Sequence, residues 1–310
     1  MIEIVALSEA MREAVALAER VAPTNANVLI TGESGSGKDA LASFVHFKSQ
    51  RAAHPLVKID CATLPADLLE AELFGYERGA FTGATEAKPG RMEAAHRGTL
   101  VLDEIAHLTL DAQAKLLRVI EHREFERLGG RKTITVDARL IALTNADLKN
   151  AVERRAFRDD LFYRLNVVQI AVPPLRERRK DIEPLARSLV KTYATKHGRI
   201  ARKLAREAQD LLAAYEFPGN VRELANIIER AVIVCSTAEV EAADLPDSVR
   251  IAAAQQVRKS RRPTLAEIES DYIRETLAAT KGNKTEAAKI LGISRKNLYE
   301  RLARECKDEG

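Results

Sequence analysis

The residues best suited to chemistry lie in two short stretches. Gly32 to Asp39 reads GESGSGKD, close to the pattern G-x-x-x-x-G-K. Gly32, Glu33, Ser34, Gly35, Ser36 and Gly37 form a loop ahead of Lys38. Its glycines let the backbone bend tightly and aim N–H groups at phosphate oxygens. A lysine at this place reaches the β- and γ-phosphates of a nucleotide. Asp39 stands where a serine or threonine usually offers a hydroxyl to Mg²⁺. The second stretch is Leu100 to Glu104, LVLDE. An apolar run ending in two carboxylates suits the same site: Asp103 to hold Mg²⁺, and Glu104 to orient or deprotonate the attacking water. Alone, an acidic pair reads as a solvated loop, and the glycine loop upstream changes that reading. Asn145 ends the run DARLIALT, where a polar side chain is placed to touch the γ-phosphate or the water.

These residues need elements to hold them. Val28 to Thr31 is apolar and precedes the glycine loop, and ALASFVHF after it reads as a helix whose dipole adds positive potential. Leu56 to Ile59, Leu100 to Leu102, Asp137 to Thr144 and Val167 to Val172 read as further strands. Helical patterns at residues 8–22 and 111–128, and a helix opened by Pro65, lie between and around them. Alternation of strand and helix implies an α/β fold, a doubly wound parallel sheet with helices on both faces. Ligands of such sheets bind at the C-terminal ends of the strands, where Lys38, Asp103, Glu104 and Asn145 all fall.

Composition sets the outer limits. A chain of 310 residues, 46% hydrophobic, suggests two or three domains. No apolar run approaches the ~20 residues of a membrane span, and no secretory signal pattern opens the chain. Cys61, Cys235 and Cys306 lie far apart, so they read as reduced thiols of a cytoplasmic protein without a zinc site. Residues 258–310 carry 13 Lys+Arg against 9 Asp+Glu, while residues 1–257 carry 36 of each. The whole net charge of +4 therefore sits in the C-terminal segment, where a nucleic-acid contact is expected.

Several other stretches break the pattern. Gly75 to Gly90, GYERGAFTGATEAKPG, leaves a helix and returns to one, carrying Phe81 on a glycine-rich tip. That suits either a partner-contacting loop or an ordinary surface turn. In FRDDLFYRL, Arg158 and Arg164 are six positions apart, roughly 600° of helix, so they do not share a face. Ion pairs with Asp159 and Asp160 are the simplest reading. Pro173 and Pro174 mark a boundary, and RERRKD, 176–181, reads as a solvated face. Residues 181–245 are helical in pattern, broken at Phe217-Pro218-Gly219-Asn220, with Arg222 on the first turn that follows.

Residues 246–263 read as a linker. Thr264 and Glu267 form a capping box for a helix whose face is Leu265, Ile268, Tyr272, Ile273 and Leu277. Two shorter helices follow. Ala288 allows a close helix approach, Gly292 suits the turn, and Ser294 caps the last helix, with Leu298 and Leu302 inward. Arg295, Lys296 and Asn297 project from its first turn, where a recognition helix meets bases and phosphates; Tyr299 and Arg301 are weaker candidates.

Taken together, the chain resembles the bacterial sigma-54-dependent transcription activators (enhancer-binding proteins, NtrC-like), members of the AAA+ ATPases. The resemblance spans an ATPase module and a Fis-type helix-turn-helix. Its most specific marker is GAFTGA, Gly79, Ala80, Phe81, Thr82, Gly83 and Ala84. In this family that loop contacts sigma-54, which implies Phe81 and Thr82 as the working residues. GESGSGKD is similar to the family's GESGTGKE, so an acidic Asp39 is ordinary there. The resemblance implies that Arg158 and Arg164 are arginine fingers reaching a neighbouring subunit's nucleotide, and that Arg222 of FPGNVREL contacts phosphates. Asp60 departs from the family, where many members carry an asparagine that restrains the Walker B glutamate. Two ionised carboxylates, Asp60 and Glu104, would repel each other unless a proton or Mg²⁺ lay between them.

The expectation is then an ATPase subdomain at 1–174, a helical lid at 175–245, the linker, and a DNA-binding domain at 264–310. The implied cofactors are ATP and Mg²⁺. The implied partners are sigma-54, RNA polymerase, enhancer DNA and further copies of the chain in a ring, expected as a hexamer. No receiver domain precedes the ATPase module, which implies either a short member controlled in trans or a truncated chain. The competing readings are a DNA-remodelling motor and a DNA-binding regulator that has lost sigma-54 activation.

Overall fold

The structure, a computed structural model, describes residues 4–201, 203–252, 265–280 and 282–308. It divides into two compact units, Met1–Pro246 and Asp247–Gly310.

The first unit is built on a five-stranded sheet of β1 (Val28–Thr31), β2 (Leu56–Asp60), β5 (Thr99–Asp103), β8 (Arg139–Thr144) and β9 (Val168–Ala171). The spatial order is β2-β5-β8-β1-β9, and every described pairing in it is parallel. Side chains alternate between two cores. Leu29, Ile59, Leu100, Leu102 and Leu140 face one, with α3 (Ala66–Phe74), α5 (Leu110–His122) and α7 (Asp159–Leu165) packed over them. Val28, Ile30, Val101, Ile141 and Ile170 face the other, covered by α1 (Glu9–Val21) and α2 (Lys38–Phe47). Burial on both faces explains why these strands read as continuous apolar runs. The expected doubly wound α/β fold is therefore observed.

Arg139 is the largest fully buried side chain among the described residues. It opens β8 and donates to the carbonyls of Val21, Ala22 and Ala26, tying the end of α1 to the sheet. Burial pulls its guanidinium down to about 10.

Three elements depart from the sequence reading. The helix expected over 111–128 stops at His122, because Arg123 takes a left-handed backbone, φ 60°. Glu124–Glu126 (β6) then pairs antiparallel with Thr133–Thr135 (β7), where β-branched residues favour extended chain. The glycine-rich insertion stands on a short ribbon of its own, β3 (Gly75–Tyr76) with β4 (Lys88–Pro89), ahead of α4 (Arg91–Ala94). Residues 247–252, read as linker, are helical with Val249 buried; residues 253–263 fall outside the description.

After α6 (Leu148–Glu153) and β9 the chain enters a helical region of α8 (Ile182–Lys196), α9 (Arg206–Ala214) and α10 (Asn220–Val234). A two-residue parallel ribbon, β10 (Lys203–Leu204) with β11 (Glu239–Val240), ties the α8–α9 connection to the segment after α10.

In the second unit α11 (Leu265–Ala279), α12 (Lys284–Ile290) and α13 (Arg295–Asp308) close on a small core of Ile273, Ala287, Ala288 and Leu298, with Leu277 and Leu302 against it. Gly292 has φ +68°, as the turn before α13 requires. Tyr272, expected on the inward face of α11, is exposed, while Ile273 and Leu277 meet the core as expected; among the described side chains of α11, Thr276 is buried beside Ile273. The expected cap Thr264 and the side chains of Leu265 and Ile268 lie outside the described residues.

Candidate active site

The glycine loop joins β1 to α2 as expected. Gly35 and Gly37 take φ +73° and +102°, open to glycine at little cost. Gly37 is the N-cap of α2 and offers no side-chain acceptor, so the first amides of that helix are left for an anion. The buried Ser36 hydroxyl has no partner. Lys38 is nearly buried and folds back onto its own loop, donating to the carbonyls of Gly32 (2.8 Å) and Glu33 (3.2 Å). A phosphate would replace those two weak acceptors with charged ones.

Asp103 and Glu104 end β5 beside this loop. Glu104 takes a left-handed backbone, φ 51°. Its Oε1 lies 3.8 Å from the Lys38 Nζ, and its Oε2 accepts from the Asn145 amide at 3.2 Å. The Walker B glutamate, the loop lysine and the end of β8 therefore meet. Arg222, on the first turn of α10, donates to Ser34 Oγ at 2.9 Å. One cavity is lined by Ser34 to Asp39, Asp103, Glu104 and Arg222; an adjoining one adds Glu33, Asn145 and Asn226.

The carboxylates gather positive charge. Lys58 of β2 places its ammonium 2.5 Å from Asp39 Oδ1 and 3.1 Å from Asp103 Oδ2. Burial pulls that ammonium down, but hydrogen bonds to Asp39 and Asp103 carry it above its ordinary value. A cation already drawn to this spot, with oxygen ligands, fits Mg²⁺ chemistry. Asp60 pairs in register with Asp103 and uses Oδ1 to accept from the Ala62 amide at 2.9 Å. Burial and the neighbouring Asp60, Asp103 and Glu104 carboxylates push the Cys61 thiol up to about 12, an unreactive group.

Arg158 and Arg164 lie away from these cavities. Arg158 pairs with Asp160, and Arg164 pairs with Glu121 of α5 at 2.9 Å. Within one chain, ion pairing is what the residues do. Phe81 is exposed and packs edge-on against Tyr76, ring centroids 4.9 Å apart. Gly79 and Gly83 have left-handed backbones, and the Gly79 amide donates to the Ala84 carbonyl at 2.8 Å, closing the loop on itself.

The reading of RERRKD as a solvated face holds for Glu177, Arg179 and Lys180, which are exposed, and fails for the other three. Arg176 binds Glu33, and Arg178 is buried, donating to the Ser36 carbonyl. Burial pulls the Arg178 guanidinium below its ordinary value. Asp181 is fully buried and accepts from the amides of Leu7 and Ser8 and the Ser8 hydroxyl. Lys58, Arg176, Arg178 and Asn220 are the site-forming residues that sequence reasoning missed. Only the charge run and the Pro-Gly-Asn break hinted at them.

In the second unit Arg295, Lys296 and Asn297 are exposed on the first turn of α13, and the Asn297 amide donates to Ser294 Oγ at 3.2 Å. Two weaker candidates are engaged elsewhere. Tyr299 takes the Lys284 ammonium over its ring, and Arg301 pairs with Glu269 of α11.

Known proteins share both units. The sigma-54 interaction domain family matches residues 4–171, the AAA+ ATPase lid domain family residues 176–262, and the Fis family of bacterial regulatory proteins residues 264–304. The transcriptional regulatory protein FlbD of Caulobacter vibrioides is 45% identical over 97% of this chain and 70% of its own length. The regulatory protein AtoC of Escherichia coli is 45% identical over 91% of this chain and 63% of its own. Among solved structures, NtrX of Brucella abortus in complex with ATP superposes with a TM-score of 0.73 at 37% identity, over 97% of this chain and 69% of that one. The chain thus spans about two thirds of the length of these relatives. With glycine loop, Walker B pair, lid arginine and helix-turn-helix in place, the chain is an AAA+ ATPase and belongs to the sigma-54-dependent transcription activators.

Proposed function

We propose that the chain works as a ring, a hexamer in the simplest form, that hydrolyses ATP to remodel a sigma-54–RNA polymerase closed complex from an enhancer-bound position in the cytoplasm. The observation that carries this reading is the meeting of Lys38, Glu104 and the Asn145 amide at the mouth of the glycine loop. It supports a hydrolytic site rather than a merely nucleotide-sensing one.

Lys38 and the amides of Gly35 to Asp39 hold the phosphates. Asp103, with Asp39 beside it, would hold Mg²⁺, which would supply positive charge against the phosphates. Glu104 orients the attacking water and accepts its proton, its carboxylate aimed by the Asn145 N–H. Arg222 reaches the phosphates from the lid. Arg158 and Arg164 leave Asp160 and Glu121 to stabilise charge developing on a neighbour's γ-phosphate. Movement of the Gly79–Ala84 loop carries Phe81 and Thr82 to sigma-54, and Arg295, Lys296 and Asn297 contact DNA.

The test is binding of sigma-54 with ADP alone and with ADP plus aluminium fluoride, for wild type and Thr82→Ala. A complex that needs the transition-state mimic and is lost in Thr82→Ala is the expected result. No complex, from protein that still hydrolyses ATP, would overturn the activator reading in favour of a DNA-remodelling motor.

A further inference from the structure

Asn220 opens α10 in a left-handed backbone, φ 53°, with no exposed surface. An asparagine tolerates that conformation, but it is an uncommon one. Its side chain is fully used. Oδ1 accepts from the Leu175 amide at 2.7 Å, and Nδ2 donates to Glu33 Oε2 at 3.0 Å and to the Ser34 carbonyl at 3.1 Å. The chemistry fixes this orientation: two acceptors face the amide nitrogen and one donor faces the oxygen. The next residue continues the contact, the Val221 amide donating to the Gly35 carbonyl at 2.9 Å. Glu33, Ser34 and Gly35, three consecutive residues of the phosphate loop, are therefore held from the start of α10. There is no slack, since a Cβ on Gly35 would meet the Gly219 carbonyl at 2.5 Å. Arg176 completes the arrangement with two bonds to Glu33, of 2.5 and 2.9 Å.

We propose that Asn220 is a positioning residue for nucleotide binding. Through Glu33 and Ser34 it sets the shape of the phosphate loop from the lid, so the affinity for phosphate depends on the lid being docked. The inference rests on the ATPase assignment and adds to it a second lid-to-loop link beside Arg222. Arg222 bonds the Ser34 hydroxyl and is placed to meet phosphate directly, whereas Asn220 acts through the Glu33 carboxylate and the Ser34 backbone carbonyl.

The experiment uses the whole chain and a fluorescent ADP, with thermal unfolding followed in parallel. Asn220→Asp keeps the acceptor for Leu175 but turns a carboxylate on Glu33. It is expected to weaken ADP binding by at least about tenfold, the scale of a hydrogen bond to a charged group replaced by repulsion. Adding Glu33→Gln restores a donor facing the new carboxylate, and the double variant is expected to bind at least about threefold tighter than Asn220→Asp. Asn220→Gly, comfortable at this φ, removes the side chain without repulsion and serves if Asn220→Asp does not fold. It is expected to weaken ADP binding and to unfold at a lower temperature, since the Leu175 amide and the Ser34 carbonyl lose their partner, so ADP affinity is read well below its unfolding transition. Wild-type affinity in Asn220→Asp or Asn220→Gly, or a double variant no tighter than the single, would overturn the proposal. Wild type that fails to bind ADP would instead remove the nucleotide reading itself.

Discussion

Arg158 donates twice to Asp160 of its own chain, from Nε to Oδ1 at 3.0 Å and from Nη2 to Oδ2 at 2.7 Å. A guanidinium held this way is preorganised as a fork and is not aimed at its own nucleotide cavity. In a ring it would exchange one oxyanion pair for another.

That exchange gives a test in trans. Arg158→Ala is expected to lower hydrolysis about a thousandfold, the scale of a lost arginine finger. Glu104→Gln should be inactive as well. Mixing the two proteins is expected to restore part of the activity, because some interfaces then pair an intact Glu104 with an intact Arg158. Steady-state phosphate release from the mixture checks it, and no gain on mixing would place Arg158 outside the neighbour's site.

Glu104→Ala should lose hydrolysis by at least about a hundredfold, as removal of a general base does. ATP binding should survive, since Lys38 and the loop amides are untouched. Equilibrium binding of a fluorescent ATP analogue beside single-turnover hydrolysis separates the two. Full hydrolysis in this variant would sink the assignment.

Glu33 supplies a pH dependence. The Arg176 guanidinium, and then the Asn220 amide, hold its carboxyl at about 2, well below 4.5. A depressed carboxyl contributes stability that is complete above 4.5 and is lost as pH falls towards 2. Glu33→Gln is therefore expected to flatten the stability profile between those values and leave its slope near neutrality unchanged. Urea unfolding at several acidic pH values reads this directly.

Arg139→Ala would take the guanidinium from the carbonyls of Ala22 and Ala26, while the Val21 carbonyl keeps the Thr24 amide and hydroxyl. The expected loss is about 3 kcal/mol, seen as a lower urea midpoint with nucleotide affinity of the folded protein unchanged.

On α13, Arg295→Ala and Lys296→Ala should weaken DNA binding and lower the salt slope by about one for each phosphate no longer neutralised. Titrations at several salt concentrations measure that slope. Tyr299→Phe should change little, because the ring already packs against Lys284.

What is local in this protein was written in its residues. GESGSGKD, LVLDE, GAFTGA and the turn at Gly292 carry their chemistry within a few consecutive positions, so the phosphate loop, the acidic pair, the exposed Phe81 and the helix-turn-helix were all legible. Alternating apolar runs were enough for the parallel sheet, because strands buried on both faces have no polar side to obscure them. Relationships between distant residues came only with the folded chain. Asn220 meets Glu33 across 187 positions, and Arg176 meets it across 143. Nothing in RERRKD marks Arg178 and Asp181 as buried, because a charged run has the same composition whether water or a folded partner satisfies it. The stop of α5 at His122 was equally hidden: helical periodicity continues past Arg123, and only pairing of Glu124–Glu126 with Thr133–Thr135 overrides it. Local pattern names the parts of the ATPase, while the fold decides which charges face one another and so which of them can act.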